Sequence, residues 1–324
     1  MKPRIFVTRR LHQEALDLLA QHCEVEVWGE ETPPSHAVLV EKAYQCDGLL
    51  TLLTDPIDSQ VLSAPGLKII SQYAVGTDNI DLAFATRHGI PVGHTPGVLT
   101  EACADLTLAL MLATARRVVE AHNEVVQGFW RPWGPFVLTG ADLFGATLGI
   151  IGLGRIGQAV ARRAAGFDMH ILYSNSERNL EAEEKTGAEF VSQEELLKRS
   201  DFVSLHVNYS PDNHHMIDFH QFELMKESAF LINTSRGSIV NPTALTWALQ
   251  TGEIAGAGLD VFEPEPIPAD HPLLSMKNVV ITPHIASASS ATRARMALIS
   301  VNNLLAGLKG EKLPFCANPQ VYEK

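Results

Sequence analysis

The chain carries Thr147-Leu148-Gly149-Ile150-Ile151-Gly152-Leu153-Gly154-Arg155-Ile156-Gly157 near its middle. The apolar residues 147–151 predict a buried strand, and the Ala- and Arg-rich residues after the last glycine predict a helix. The first glycine permits a tight turn, the second lets a pyrophosphate approach the backbone, and the third allows the helix to pack closely on the strand. Glycines between a strand and a helix can also serve packing alone. The strand–loop–helix order favours a dinucleotide site, with the phosphates on the helix N-terminus. The candidate residues of this site are Gly152, Leu153, Gly154, Arg155, Ile156 and Gly157.

The end of the next predicted strand bears on which dinucleotide binds. In NAD sites an acidic residue about 20 positions after the glycines binds the ribose 2′-hydroxyl. Here Asn175 takes that position, so no carboxylate repels a 2′-phosphate. Neighbouring donors and a cation favour NADP(H), although NAD(H) stays possible with Glu177 in the acid's role. The candidate phosphate ligands are Ser174, Asn175, Ser176 and Arg178.

Length and composition limit the function classes. The 324 residues suit two domains, and 46% hydrophobic with 19% charged residues is typical of a globular enzyme. A net charge of −12 disfavours nucleic-acid and anionic-membrane partners. The four cysteines lack metal-ligand spacing, so we expect reduced thiols, no metal site and a cytoplasmic protein. Neither a secretory signal nor an apolar run of roughly 20 residues, as a bilayer requires, is apparent.

The residues before the glycine loop predict a separate α/β unit. Short apolar segments alternate with helical patterns there, which indicates βα units around a parallel sheet. We expect strands at residues 5–8, 25–28, 48–53, 68–71 and 91–93, and helices at 11–21 and 35–44. Later strands are expected at 147–151, 170–173, 202–206, 230–233, 256–260 and 279–282.

Two long helices define the predicted domain organisation. The first extends from an N-cap at Thr100 to Val126 and is apolar on all sides, which indicates burial. The second, from about Ser289 to Leu308, follows the last strand, and we expect it to pack on the first domain. The predicted substrate-binding domain is therefore discontinuous, at residues 1–99 plus 288–324. The dinucleotide-binding domain covers residues 100–287.

Three polar residues follow predicted strands in the second half. Arg236 follows Asn233-Thr234-Ser235, Glu265 lies between two prolines, and His284 follows Thr282-Pro283. Ligands of open α/β sheets bind beyond the carboxyl ends of strands, so these residues can converge on one site. Each has a structural alternative, such as a rigid turn or a strand cap.

Together these motifs resemble the D-isomer-specific 2-hydroxyacid dehydrogenases over essentially the whole chain. The resemblance rests on residues 152–157, 233–237, 258–262 and 283–285. It implies two Rossmann-like or flavodoxin-like α/β domains with parallel sheets and an active site in the cleft between them. It also implies a catalytic Arg236, Glu265 and His284.

The chemistry of these residue types suits reduction of a 2-oxo acid. His284 would protonate the carbonyl oxygen, Glu265 would stabilise the imidazolium, and Arg236 would bind the carboxylate and polarise the carbonyl. The resemblance further implies cofactor contacts from Thr234, Ser235 and Asp260, with Asp260 on the nicotinamide carboxamide. In the first domain, the backbone amides of Val75 and Gly76 would bind the substrate carboxylate.

Four further segments carry a closer resemblance: the Val75-Gly76 loop, residues 95–100, the loop with Trp130 and Trp133, and residues 302–308. On these segments the chain is most similar, within the family, to the glyoxylate/hydroxypyruvate reductases. That branch implies reduction of glyoxylate and hydroxypyruvate to glycolate and D-glycerate, and the residues around Asn175 favour NADPH as the reductant. It also implies a homodimer formed through residues 100–145, with Trp133 at the partner's substrate site or, alternatively, as a local core anchor. A phosphite dehydrogenase, another 2-hydroxyacid dehydrogenase of the same family, and a dinucleotide-sensing corepressor without turnover are the competing interpretations.

Overall fold

The computed structural model describes residues 1–323 and contains two parallel β-sheets, each with helices on its faces. The chain divides into two compact units. One comprises Met1–Leu99 together with the segment that begins at Ala288, and the other comprises Thr100–Ser287. The predicted fold class, two α/β domains with parallel sheets, is confirmed.

The first unit has a five-stranded sheet in the order β2-β1-β3-β4-β5, which is the flavodoxin-like order. Its strands are short and mostly buried, which explains their near-continuous apolar sequences. Its elements up to residue 99 are β1 (Arg4–Val7), α1 (Gln13–His22), β2 (Glu24–Val27), α2 (His36–Gln45), β3 (Gly48–Thr51), α3 (Ser59–Leu62), β4 (Ile69–Gln72), α4 (Leu82–Arg87) and β5 (Val92–Gly93).

The second unit has a seven-stranded sheet in the order β12-β11-β10-β9-β6-β7-β8. The strand order reverses at β6, which pairs with β7 on one side and β9 on the other. This is the topological switch point, where ligands of such sheets bind. The elements are α5 (Thr100–Ala115), α6 (Val118–Val126), β6 (Thr147–Ile151), α7 (Arg155–Ala164), β7 (His170–Ser174), α8 (Leu180–Thr186), β8 (Glu189–Phe190), α9 (Gln193–Arg199), β9 (Phe202–Leu205), α10 (Phe219–Leu224), β10 (Phe230–Asn233), α11 (Pro242–Thr251), β11 (Gly256–Leu259) and β12 (Val279–Ile281).

The last helix, α12 (Ser290–Leu308), belongs to the first unit. The Ser289 hydroxyl caps its N-terminus by accepting a hydrogen bond from the Thr292 amide. A hydrogen bond joins this helix to the sheet of the same unit: the Ser71 hydroxyl of β4 donates to the carbonyl of Ser300 at 2.7 Å. Met296, Ala297, Val301 and Leu304 of this helix are buried in the same apolar core as β1 and β4.

The predicted single helix from Thr100 to Val126 is wrong, because the structure has two helices there. Arg117 adopts a left-handed backbone conformation (φ 53°) between them, and its Nε donates to Glu120 at 2.8 Å. The expected burial applies only to α5, since α6 contains no buried residue. None of the helices within residues 1–323 has the length and apolar character needed to cross a bilayer.

Candidate active site

The glycine loop lies at the switch point of the second sheet, directly after β6. Gly152 has a φ of +100°, and a Cβ at this position would lie 2.6 Å from the carbonyl oxygen of His206, which follows β9. A Cβ at Gly157 would overlap the carbonyl of Gly152. Only glycine fits these two positions, so the turn and the close packing of α7 require the residues that the sequence supplies.

The N-terminus of α7 is arranged to accept an anion. Gly154 is its N-cap, no side chain caps it, and open space surrounds the position of a Cβ. Arg155 and Ile156 therefore begin the helix with amides directed at the loop, as a pyrophosphate site requires. These features suit the predicted dinucleotide site, and the contacts of its residues with a cofactor stay a prediction.

The end of β7 is hydrogen-bonded to the glycine loop. The Gly152 amide donates to the carbonyl of Ser174 at 3.0 Å, and the Leu153 amide donates to the Asn175 side chain at 2.8 Å. Asn175 therefore occupies the position expected of the acidic residue in an NAD site. Ser176 follows it and is exposed.

Arg178 has an acidic partner that the sequence did not indicate. Its guanidinium donates two hydrogen bonds of 2.8 Å to the Glu183 carboxylate on α8. The Tyr173 hydroxyl donates to the same carboxylate at 2.6 Å. These hydrogen bonds, that of Arg178 first, lower the pKa of Glu183 to about 2. The cation expected to bind a 2′-phosphate is thus paired with a carboxylate in this structure.

A second turn, after β10, positions Arg236. Asn233 at the end of the strand is buried and accepts from the amide and hydroxyl of Ser235 at 3.0 and 2.8 Å. Its amide group donates to the carbonyl of Arg236 at 2.9 Å. Thr234 lies 3.1 Å from the Thr107 hydroxyl of α5. The motif at residues 233–237 is therefore a turn closed by Asn233, which fixes the backbone from which Arg236 projects.

Glu265 and His284 form a direct pair. The Nδ1 of His284 lies 2.8 Å from Glu265 Oε2, and the Phe262 amide donates to Glu265 Oε1 at 2.8 Å. Burial raises the pKa of Glu265, but the His284 hydrogen bond and charge, the Phe262 amide and the charge of Arg236 together hold it below its ordinary value. An ionised carboxylate on Nδ1 leaves Nε2 for a substrate, and Nε2 has no protein partner in the described part of the chain.

The backbone at His284 is in the left-handed region, with a φ of 54°, and Asp260 holds it there. The Asp260 carbonyl accepts from the His284 amide at 2.9 Å, and the Asp260 carboxylate accepts from the amides of Ile285 and Ala286, both at 2.8 Å. The Thr282 hydroxyl donates to the same carboxylate at 2.6 Å. Asp260 is fully buried and so anchors the segment on both sides of His284. Its predicted contact with the nicotinamide stays a prediction.

The loop at Val75 and Gly76 belongs to the first unit. The His94 imidazole lies 3.1 Å from the Val75 carbonyl, and Gln72 hydrogen-bonds the side chain of Asn79 at 2.7 Å, which fixes the loop from both ends. Within the residues that the structure describes, the amides of Val75 and Gly76 have no hydrogen-bond acceptor. Two adjacent free amides are suited to bind a carboxylate.

Trp133 lies in a strongly exposed aromatic segment. Its side chain is 89% exposed, which excludes the alternative of a local core anchor. Neighbouring apolar side chains on α6 and in the loop after it are also exposed: Val118, Val119, Val125, Val126, Phe129, Trp130 and Phe136. An apolar patch on this scale is typical of a protein–protein interface.

Known proteins resemble this chain over its whole length. Residues 108–286 match the family model described as D-isomer specific 2-hydroxyacid dehydrogenase, NAD binding domain. A glyoxylate reductase of Korarchaeum cryptofilum (strain OPF8) is 53% identical over 323 residues, which is 99% of this chain and 97% of the relative. A Thermus thermophilus protein of known crystal structure is 47% identical in sequence, with a TM-score of 0.92 over 97% of this chain and 99% of the other.

A further solved structure is similar to the chain and contains ligands. It is the NADPH-dependent glyoxylate/hydroxypyruvate reductase of Sinorhizobium meliloti in complex with NADP and malonate. It is 32% identical to this chain, with a TM-score of 0.88 and coverage of 99% and 98%.

These similarities and the dinucleotide loop establish the class of protein: this is an NAD(P)-dependent dehydrogenase. The chain belongs to the D-isomer specific 2-hydroxyacid dehydrogenase family. The family expected from the sequence motifs is thus confirmed. The roles of individual residues stay predictions, which the geometry above makes testable.

Proposed function

We propose that this protein reduces small 2-oxo acids, glyoxylate and hydroxypyruvate, to glycolate and D-glycerate with NADPH. The observation that carries the proposal is the hydrogen bond between Glu265 and His284 Nδ1, because it leaves Nε2 as a proton donor. The glyoxylate reductase of Korarchaeum cryptofilum, at 53% identity, supports glyoxylate as the substrate. The Sinorhizobium meliloti enzyme supports hydroxypyruvate as a second substrate.

In the proposed mechanism, His284 Nε2 donates a proton to the carbonyl oxygen of the substrate. Glu265 stabilises the positive charge on the imidazole and keeps the ring in one orientation. Arg236 binds the substrate carboxylate with its planar guanidinium and polarises the carbonyl. When bound, the nicotinamide supplies the hydride that the carbonyl carbon accepts.

The other proposed ligands of the substrate carboxylate are the backbone amides of two loop residues. The amides of Val75 and Gly76 donate to the substrate carboxylate, and the hydrogen bonds from His94 and Gln72 keep the loop in place. Replacement of Gly76 by Val should raise KM for glyoxylate more than KM for NADPH, because the added side chain obstructs approach to the amides.

The cofactor site would hold the pyrophosphate at the N-terminus of α7 and the 2′-phosphate beside Ser174, Asn175 and Ser176. Arg178 would leave Glu183 to bind the phosphate. The absence of an acid at Asn175 supports NADPH, whereas the Arg178–Glu183 pair reduces the positive charge available to it. Thr234 and Ser235 remain candidate cofactor contacts.

The exposed apolar patch supports a homodimer, with Trp133 directed at the partner's substrate site. Light scattering after gel filtration tests this assembly. A monomer at micromolar concentration would exclude it.

One activity panel tests the proposed function. Oxidation of NADPH and of NADH is measured with glyoxylate and with hydroxypyruvate, and reduction of NADP⁺ is measured with phosphite. We expect turnover with both oxo acids and a lower KM for NADPH than for NADH. Turnover with phosphite alone would assign the chain to the phosphite dehydrogenases. Binding of the dinucleotide without any turnover would instead support a sensor.

A further inference from the structure

Three side chains of types that can bind a metal lie together in the second unit, and none of them is among the residues assigned to catalysis. They are His214, His215 and Glu263, and one possible ligand atom of each lies within 4.8 Å of the others. The Nε2 of His215 lies 2.7 Å from Glu263 Oε2. The rings of His214 and His215 stack with their centroids 3.8 Å apart. The sequence did not indicate a metal site, because 48 residues separate His215 from Glu263.

The backbone of His215 is held in place, whereas His214 is exposed. His215 has a φ of 53°, which is uncommon for a residue with a Cβ, and its amide donates to the carbonyl of Ser238 at 2.8 Å. His214 is exposed, so its ring can rotate out of the stack at little cost. The pair His215 and Glu263 is therefore a preformed part of a site that His214 can complete.

The distances suit a small divalent ion with nitrogen and oxygen ligands. Zinc lies about 2.0–2.2 Å from such atoms in a tetrahedral site, which separates two ligand atoms by about 3.4 Å. The 2.7 Å contact between His215 and Glu263 would have to open by only about 0.7 Å to admit the ion. Two imidazoles with one carboxylate suit zinc, nickel and copper rather than calcium or magnesium.

We propose that His214, His215 and Glu263 bind one divalent transition-metal ion, for which Zn²⁺ is the reference, with water in the remaining position. Bound metal would also fix the segment that carries Glu265. Glu263 precedes Glu265 by two residues, and the Phe262 amide just before it donates to Glu265 Oε1 at 2.8 Å. An ion that moves Glu263 therefore changes the position from which Glu265 reaches His284. The binding site is independent of the proposed function, and only its kinetic effect rests on that function.

The test is a titration of the full-length, tag-free protein with Zn²⁺ by calorimetry in chelator-treated buffer. We expect one Zn²⁺ per chain, and at least a tenfold weaker affinity in each of His214→Ala and Glu263→Gln. Co²⁺ in place of Zn²⁺ provides a ligand-field absorption that reports imidazole and carboxylate ligation directly. His214 is exposed and Glu263→Gln is isosteric, so both variants should fold, which thermal unfolding verifies.

The matched control is His220→Ala. His220 lies 3.9 Å from Glu223 in the same unit and is an ordinary exposed histidine beside a carboxylate. The His220→Ala variant should bind zinc with the same affinity as the wild type. Equal zinc affinity in the wild type, His214→Ala and Glu263→Gln would overturn the proposal, as would an equal loss in His220→Ala. A wild-type kcat that does not change on saturation with Zn²⁺ would overturn the coupling to Glu265.

Discussion

Replacement of Asp260 by Asn tests whether this residue holds the histidine segment. The carboxylate accepts three hydrogen bonds, from the Thr282 hydroxyl and from the amides of Ile285 and Ala286. An Asn side chain places an NH₂ group where one oxygen stood, so at least one donor faces another donor. A hydrogen bond to a charged acceptor contributes about 1.5–3 kcal/mol, and a buried unpaired amide costs about 1–3 kcal/mol.

We therefore expect Asp260→Asn to lower the free energy of unfolding by about 3 kcal/mol. For a unit of this size, that corresponds to a decrease in Tm of roughly 6–12 °C. The His284 backbone, at φ 54°, would relax once its anchor is weakened. A displacement of about 1 Å at a catalytic group costs on the order of 100-fold in rate, so kcat should fall by about 10- to 100-fold.

The assay combines thermal unfolding with steady-state kinetics in glyoxylate and NADPH. Asp201→Asn is the control, because Asp201 also accepts a backbone amide, that of Thr147, and pairs with Lys226. It should lower stability and leave kcat unchanged. A raised KM for NADPH with unchanged Tm and kcat would refute the anchoring role and favour the contact with the nicotinamide carboxamide.

Substitutions at four other positions test the proton donor, the cofactor preference, the pH dependence of stability and the substrate preference. His284→Ala should reduce kcat by about 10²- to 10⁴-fold with an unchanged circular dichroism spectrum, since it removes the proton donor, and full activity would exclude it from the mechanism. Glu183→Gln should lower the KM for NADPH relative to the KM for NADH, because the substitution frees Arg178. Glu181→Gln on the same helix should change neither KM. Burial lowers the pKa of His206 to about 4, whereas a free imidazole titrates near 6.5. As pH falls, the unfolded chain takes up the proton first, so the free energy of unfolding decreases between about pH 6.5 and pH 4, by up to about 2 kcal/mol at pH 5. Urea unfolding should show a smaller decrease in this free energy for His206→Gln than for the wild type. Trp133→Ala should alter the ratio of kcat/KM for hydroxypyruvate and glyoxylate, and an unchanged ratio would argue against a substrate contact.

Local signals predicted most of the fold. The strands at residues 147–151 and 230–233 have the predicted bounds, because each is a buried apolar run between turn residues. The last helix begins one residue after the predicted start at Ser289, whose hydroxyl caps it in the structure. The glycine loop was recognisable because two of its glycines face backbone that leaves no room for a Cβ.

Other features depended on contacts that no local pattern contains. The break between α5 and α6 occurs at an arginine, without the glycine or proline that usually marks one. The edge strand β8 has two exposed residues, too few for any periodicity. The sequence did not predict the ion pair between Arg178 and Glu183, which forms because α8 places Glu183 beside Arg178. The sequence around these three features does not distinguish the observed structure from its alternatives.

The position of α12 has a consequence for the order in which the chain can fold during synthesis. The hydroxyl of Ser71 meets the backbone of Ser300, 229 residues further along the chain. Residues 1–99 therefore emerge from the ribosome long before the helix that covers their sheet exists. The unit at Thr100–Ser287 is contiguous and can complete its own core first. The N-terminal strands must stay unaggregated while roughly 200 residues follow, at about 5–20 residues per second, and chaperone dependence is expected in that interval.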